Sequence, residues 1–131
     1  MITMKYTALI TIAALTLTFV FSGRAGAMRG KHGVNAPAMT GHAEFDTAFR
    51  IHMNTVEQLV LFIPVLWLAT SVVGDIWAAA VGALWIVGRL VYAAGYAKAP
   101  EKRGQGMIIT ILSTAVLTML SLWGVVQEFM A

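Results

Sequence analysis

The sequence predicts an all-α protein, an up-down antiparallel bundle of four membrane-spanning helices in a single domain over residues 1–131. Three observations carry this. Hydrophobic residues make up 59% of the 131-residue chain and charged residues 11%, against roughly 25% charged in a soluble domain; the mean hydropathy is +0.78. So few charges cannot cover the surface of a water-soluble globule, and much of the solvent of this chain is therefore lipid. Four long stretches are free of Asp, Glu, Lys and Arg except for Arg89, and each approaches the about 20 apolar residues that a spanning helix needs. Backbone groups in lipid must be bonded within their own segment, which selects helices.

The first helix is expected at 6–23, after Lys5. Lys5, the apolar run 7–21 and Ala25-Gly26-Ala27 also fit a cleaved secretory leader over 1–27. That run is at the long end for a leader and Arg24 stands inside the cleavage region, so a retained span is favoured; intact mass decides. The stretch 24–44 holds glycines, Asn35, Pro37 and His42 without helical or strand period, and reads as a loop. A second helix is expected at 45–72, about 42 Å long at 1.5 Å per residue, with its first turns projecting past the hydrocarbon. Gly74-Asp75 makes a tight turn into a third helix at 76–97. Ala99-Pro100-Glu101 ends that helix, because proline lacks a donor and disfavours helix in the residue before it. The fourth helix is expected at 104–127. The ten Ser and Thr of the first and fourth spans can bond back to their own helices.

Seven of the nine basic residues (Arg24, Arg29, Lys31, Arg50, Lys98, Lys102, Arg103) fall on one side of this topology. The positive-inside rule puts that side, with loops 24–44 and 98–103, in the cytoplasm and both termini opposite. With no cysteine, disulfides, thiolate metal sites and a cysteine nucleophile of the chain's own are excluded. His32 and His42 lack metal-ligand spacing, so no metal is expected. The basic residues are too scattered for nucleic acid; the expected surroundings are membrane lipid.

Polar residues at membrane depth are expensive and point to function. At about 100° per residue, Arg50, Asn54, Glu57 and Gln58 form one stripe on the second helix, and His52 points away from it. The bland alternative is that these groups merely satisfy one another at a helix interface, as buried charges must. On the third helix Arg89, Tyr92 and Tyr96 share a face leading to Lys98, Lys102 and Arg103. Interfacial anchoring suits Tyr96 better than Tyr92. Arg89 lies too far from the helix end to snorkel easily, so an internal partner such as Glu57 is expected. Two such stripes facing each other would enclose a hollow rich in cations and hydroxyls with one acid, suited to a small, polar, mostly anionic ligand. Trp67, Trp77, Trp85 and Trp123 read as packing or lipid-facing residues.

These motifs resemble the MAPEG family, membrane-associated proteins in eicosanoid and glutathione metabolism. The resemblance covers about 29–111. It rests on Val34-Asn35-Ala36-Pro37-Ala38-Met39-Thr40-Gly41, on Glu44-Phe45, and on Phe49-Arg50-Ile51-His52-Met53-Asn54-Thr55-Val56-Glu57 with its R-x-x-x-N-x-x-E spacing. Its second piece is Arg89-Leu90-Val91-Tyr92, Gly95-Tyr96 and a basic turn ending in Arg103. The pattern is nearest the branch of cysteinyl-leukotriene synthase and the microsomal glutathione transferases.

The resemblance implies a homotrimer that binds glutathione as co-substrate between neighbouring subunits near the cytoplasmic surface. It assigns Arg29, Arg50, Asn54, Glu57, Gln58, Tyr92 and Tyr96 to glutathione binding and Arg103 to its sulfur as the catalytic residue, with Arg89 and His52 in support. The implied function is a membrane glutathione transferase or peroxidase acting on a lipophilic second substrate, an electrophile or a lipid hydroperoxide. Chemistry agrees with the assignments: two carboxylates and an ammonium call for several cations and one acid. A fixed positive charge also lowers a thiol pKa from about 8.5. The chain departs from family patterns at Gly30, where the branch often has a second arginine; at Gln58, where the synthase has tyrosine; and at Met53, where other branches have arginine. Two rivals remain: a non-catalytic lipid-binding or scaffold member of the same family, separated by a conjugation assay in detergent, and a small proton-coupled exporter using Glu57, separated by efflux from proteoliposomes.

Overall fold

A computed structural model describes residues 3–131; the first two residues, and with them the head of the 1–27 leader reading, lie outside the described residues. In chain order it has α1 (Lys5–Lys31), α2 (Ala43–Val73), α3 (Asp75–Lys98), a 3-10 turn (Pro100–Arg103) and α4 (Gly104–Met130). All four long helices have the length and hydropathy to cross a membrane, and the described residues hold no strand.

The first helix corrects the sequence expectation. It runs on through 24–31, where a loop was expected, and leaves only 32–42 as the connection to α2. Tertiary contact overrides the weak helix propensity of Gly23, Gly26 and Gly30. Phe21 and Ala25 are buried on the inner side of this extension, while the glycines line an open one. Arg29 and Lys31 in the last turn complement the negative end of the helix dipole. Arg29 also folds the following loop back, as its Nη1 donates to the carbonyls of Val34 (3.2 Å) and Ala38 (2.9 Å). His32 and Lys31 both reach the Glu44 carboxylate at 2.9 Å, which ties the end of α1 to the start of α2.

At the opposite end, the Asp75 carboxylate accepts from the Tyr6 and Thr7 backbone amides at 3.0 and 2.7 Å. The start of α1 is thereby docked on the α2–α3 turn, an anion satisfying orphan donors at a helix N-terminus. The Thr7 and Thr70 hydroxyls share a buried hydrogen bond of 2.8 Å. Most other span hydroxyls bond back one turn, among them Thr18 to Ala14, Thr55 to Ile51 and Thr110 to Gly106. Gly74, at φ +89°, makes the one-residue connection that an L side chain would strain. Pro64 sits inside α2 without ending it, a tolerance that neighbouring helices permit in membrane bundles.

The core lies along α3. Trp85 is fully buried and stacks on Phe62 at 4.3 Å, with Ala14, Leu66, Ala78 and Leu117 around them. Trp67, Trp77 and Trp123 are exposed on the outer surface. Nearer the basic end, Tyr92 packs with Phe21, Ile51 and Ala93. The start of α4 crosses α3 with almost no side-chain spacing. A Cβ on Gly106 would strike the backbone of Tyr92, and one on Gly88 would come within 2.8 Å of the Thr110 nitrogen. Gly106→Val is therefore expected to push α4 off α3 and destabilise the chain by about 1–3 kcal/mol, the scale of overpacking. Thermal unfolding in detergent checks this, and an unchanged transition would contradict the tight crossing.

Candidate functional site

The site begins on α2. Arg50 and Glu57 are exposed and Asn54, between them, is half-buried. Asn54 is placed by two hydrogen bonds of opposite sense. Its Nδ2 donates to Glu57 Oε2 at 3.2 Å, and its Oδ1 accepts from Arg89 Nη2 at 3.1 Å. An amide has one donor end and one acceptor end, so a cation behind and a carboxylate in front fix its orientation. Asn54 thus links a buried charge on α3 to an exposed charge on α2.

Arg89 is fully buried. Its Nη2 also donates to Thr55 Oγ1 at 2.9 Å, and its guanidinium lies 4.0 Å from the centre of the Tyr92 ring. The expectation that Glu57 is its direct partner is corrected: Asn54 and Thr55 take that place, because Glu57 turns outward while Thr55 lies on the inner face of α2. Among the described residues, Nε and Nη1 of Arg89 and Nε1 of Trp85, one turn earlier, have no hydrogen-bond partner.

From Arg89 the polar series continues along α3 into the basic turn. The Tyr92 and Tyr96 rings are 5.7 Å apart, and the Arg103 guanidinium stands 5.1 Å from the centre of the Tyr96 ring. Tyr92 is buried, Tyr96 half-buried and Arg103 exposed, so the series opens outward toward the turn. Arg103 immediately precedes α4, a helix with no acidic residue in its first turn and no side-chain cap. The positive end of that helix dipole therefore adds to the charge of Arg103.

The structure brings Asn54, Glu57, Arg89, Tyr92, Tyr96 and Arg103 into one connected run, which is buried at Arg89 and Tyr92 and exposed at its two ends, Glu57 and Arg103. Of the two stripes expected to face each other across a hollow, the first has Arg50 and Glu57 exposed and the second has Arg89 and Tyr92 buried. A cavity of about 600 Å³ at this end has Tyr96 on its wall and not Arg50, Asn54, Glu57, Tyr92 or Arg103. The physical reason is that Arg50 and Glu57 lie exposed on the outer side of α2 and are not packed between the helices. Arg29, besides its loop bonds, lies 4.5 Å from the Phe45 ring centre, so it shapes the loop that precedes the stripe. His52 and Gln58 are half-buried on α2. Among the described residues no group of three or more His, Asp or Glu could hold a metal ion; His32 and His42 instead stack at 3.5 Å. Thr55 is the functional neighbour that sequence reasoning missed. Its signal was a hydroxyl directly after Asn54, on the side of α2 facing the core.

Four helices of membrane-spanning length and hydropathy, bearing a charged face at one end, define an integral multi-pass membrane protein. The chain belongs to the MAPEG family, whose profile matches residues 7–123. It is 37% identical to microsomal glutathione S-transferase 2 of Mus musculus over 110 residues, 84% of this chain and 75% of that protein. It is 40% identical to the uncharacterized protein sll1147 of Synechocystis sp. over 92% of this chain and 88% of that one. Leukotriene C4 synthase of Cavia porcellus is 28% identical over 94% of this chain and 82% of that protein.

Proposed function

We propose that this chain is a membrane glutathione transferase that binds glutathione on the open α2–α3 face and holds its sulfur ionised beside Arg103. The observation that carries the reading is the Glu57–Asn54–Arg89 bridge. A buried cation fixes an amide, and the amide presents an exposed carboxylate on the same helical stripe as the exposed Arg50. That pairing is complementary to a peptide bearing one ammonium and two carboxylates. The similarity to microsomal glutathione S-transferase 2 supports the same ligand.

Because Arg50 and Glu57 face outward, the site is completed by a second copy of the chain, and a homotrimer with glutathione between subunits fits this need. We place the basic loops in the cytoplasm, where glutathione is supplied. Arg50 pairs with a carboxylate, Glu57 takes the ammonium, and Tyr96 and Gln58 offer hydrogen bonds along the peptide. Arg29, at the end of α1, offers a further cation for the peptide. Arg103 offers a guanidinium cation, which stabilises thiolate by its charge without acting as a base. The sulfur then attacks an electrophilic carbon of a lipophilic substrate and expels its leaving group. With a lipid hydroperoxide the same sulfur attacks the terminal oxygen, the O–O bond breaks and the lipid alkoxide leaves as the alcohol after taking a proton; a second glutathione then attacks the sulfur of the resulting sulfenic acid and gives glutathione disulfide and water.

The test is calorimetry of the purified protein with glutathione and its S-methylated form, alongside conjugation of an aromatic electrophile. Both peptides are expected to bind and only the thiol to release a proton on binding. Binding of glutathione without conjugation would favour the scaffold rival, and absence of binding would remove the proposal. Glu57→Gln is expected to weaken glutathione binding by at least about 1 kcal/mol, roughly fivefold in Kd, the scale of a lost charged hydrogen bond. An unchanged Kd would take Glu57 out of the site.

A further inference from the structure

The 600 Å³ cavity at the basic end is separate from the α2 stripe and is built from the ends of three helices. Arg24, Met28 and Lys31 line it from α1 at i, i+4 and i+7, a single helical face. Ala48 and Ile51 give it an apolar wall from α2, and Lys98 closes it from the end of α3. The acid on the wall, Glu44, is held by Lys31 and His32. Arg24 and Lys98 are exposed and have no carboxylate within ion-pair distance among the described residues. The hollow therefore carries two uncompensated cations over an apolar wall, at the basic end of helices long and apolar enough to cross a membrane.

We propose that this cavity binds an anionic phospholipid, its phosphate between Arg24 and Lys98 and its first acyl carbons against Met28 and Ile51. Basic pockets between the ends of membrane helices are suited to anionic headgroups, and the volume is within the range of small-molecule sites. A free anion would satisfy the cations but leave the apolar wall wet; a neutral lipid would cover the wall but leave the cations unpaired. Only an acidic amphiphile satisfies both. The cavity shares the wall residue Tyr96 with the glutathione reading, but its two free cations, Arg24 and Lys98, are outside that machinery, so the lipid site is tested through them alone.

The full-length protein in detergent is titrated with phosphatidylglycerol, phosphatidylcholine or inorganic phosphate, with native mass spectrometry and thermal unfolding as readouts. Phosphatidylglycerol is expected to remain bound and to raise the melting temperature, and the other two are not. Arg24→Gln combined with Lys98→Gln is expected to weaken phosphatidylglycerol retention about thirtyfold, taking about 1 kcal/mol for each basic residue near a lipid headgroup. The charge-preserving pair Arg24→Lys with Lys98→Arg is expected to retain it, which separates lost charge from lost fold. Equal retention of phosphatidylcholine, an equal effect of phosphate alone, or undiminished phosphatidylglycerol binding in a folded Gln pair would each overturn the proposal.

Discussion

Arg103→Ala is expected to leave glutathione bound while cutting turnover about a hundredfold, the scale of losing one group that stabilises developing anionic charge. The argument is electrostatic. An unassisted thiol ionises near pH 8.5, so only a few per cent is thiolate at neutral pH. Arg103 brings a permanent cation to the mouth of the tyrosine series, and the uncapped start of α4 points the same way. Removing the guanidinium takes away most of the field that favours thiolate but none of the groups assigned to the carboxylates and ammonium. The thiolate absorbance of the bound peptide is therefore expected to fade at neutral pH while the Kd changes little. Sign follows directly: a lowered thiol pKa makes turnover flat across neutral pH in the native chain, and the variant should climb tenfold per unit toward pH 8.5. Arg103→Lys, which keeps a compact charge without the planar fork, is expected to fall between the two. Normal turnover in the alanine variant would remove Arg103 from the mechanism, and loss of binding would make it an anchor for the peptide instead.

The four spans were legible because lipid imposes a rule that sequence states openly: long stretches without charge. The polar stripe on α2 was legible for a related reason, since helical angles place Arg50, Asn54 and Glu57 on one face whatever surrounds them. The continuation of α1 past Gly23 was not. Three glycines and three cations in nine residues weigh against helix locally. What holds it is Phe21 and Ala25 buried beneath and Arg29 clamping the loop, contacts that no window of sequence contains. The partner of Arg89 escaped for a geometric reason. A stripe drawn around Asn54 puts Thr55 about 100° off, so the angular reading that found Glu57 also hid the hydroxyl facing α3. Nor could angles within one chain say whether two stripes enclose a hollow or open to a neighbour.

Asn54→Leu carries the second large effect. In the native chain the amide takes one Arg89 hydrogen away from an apolar surrounding and passes a donor to Glu57. Leucine fills similar space but satisfies neither. Arg89, whose Nε and Nη1 already lack a partner among the described residues, would keep only the Thr55 hydrogen bond of the two it makes there. Leaving part of a buried charge unsatisfied costs about 1–3 kcal/mol or more, so the unfolding temperature in detergent should fall. Glu57, released from its donor, would lose the orientation that meets an ammonium, and glutathione binding should weaken at least tenfold. Asn54→Asp tests the same bridge from the other side. It keeps the acceptor for Arg89 and so should retain stability, but it sets a second carboxylate against Glu57 and should still impair binding. Coupling gives the decisive number. If Asn54 acts through Glu57, the Asn54→Leu and Glu57→Gln losses in binding must fall short of additivity by more than about 0.5 kcal/mol. Full additivity would mean that the buried arginine braces the helices and has no part in presenting the acid.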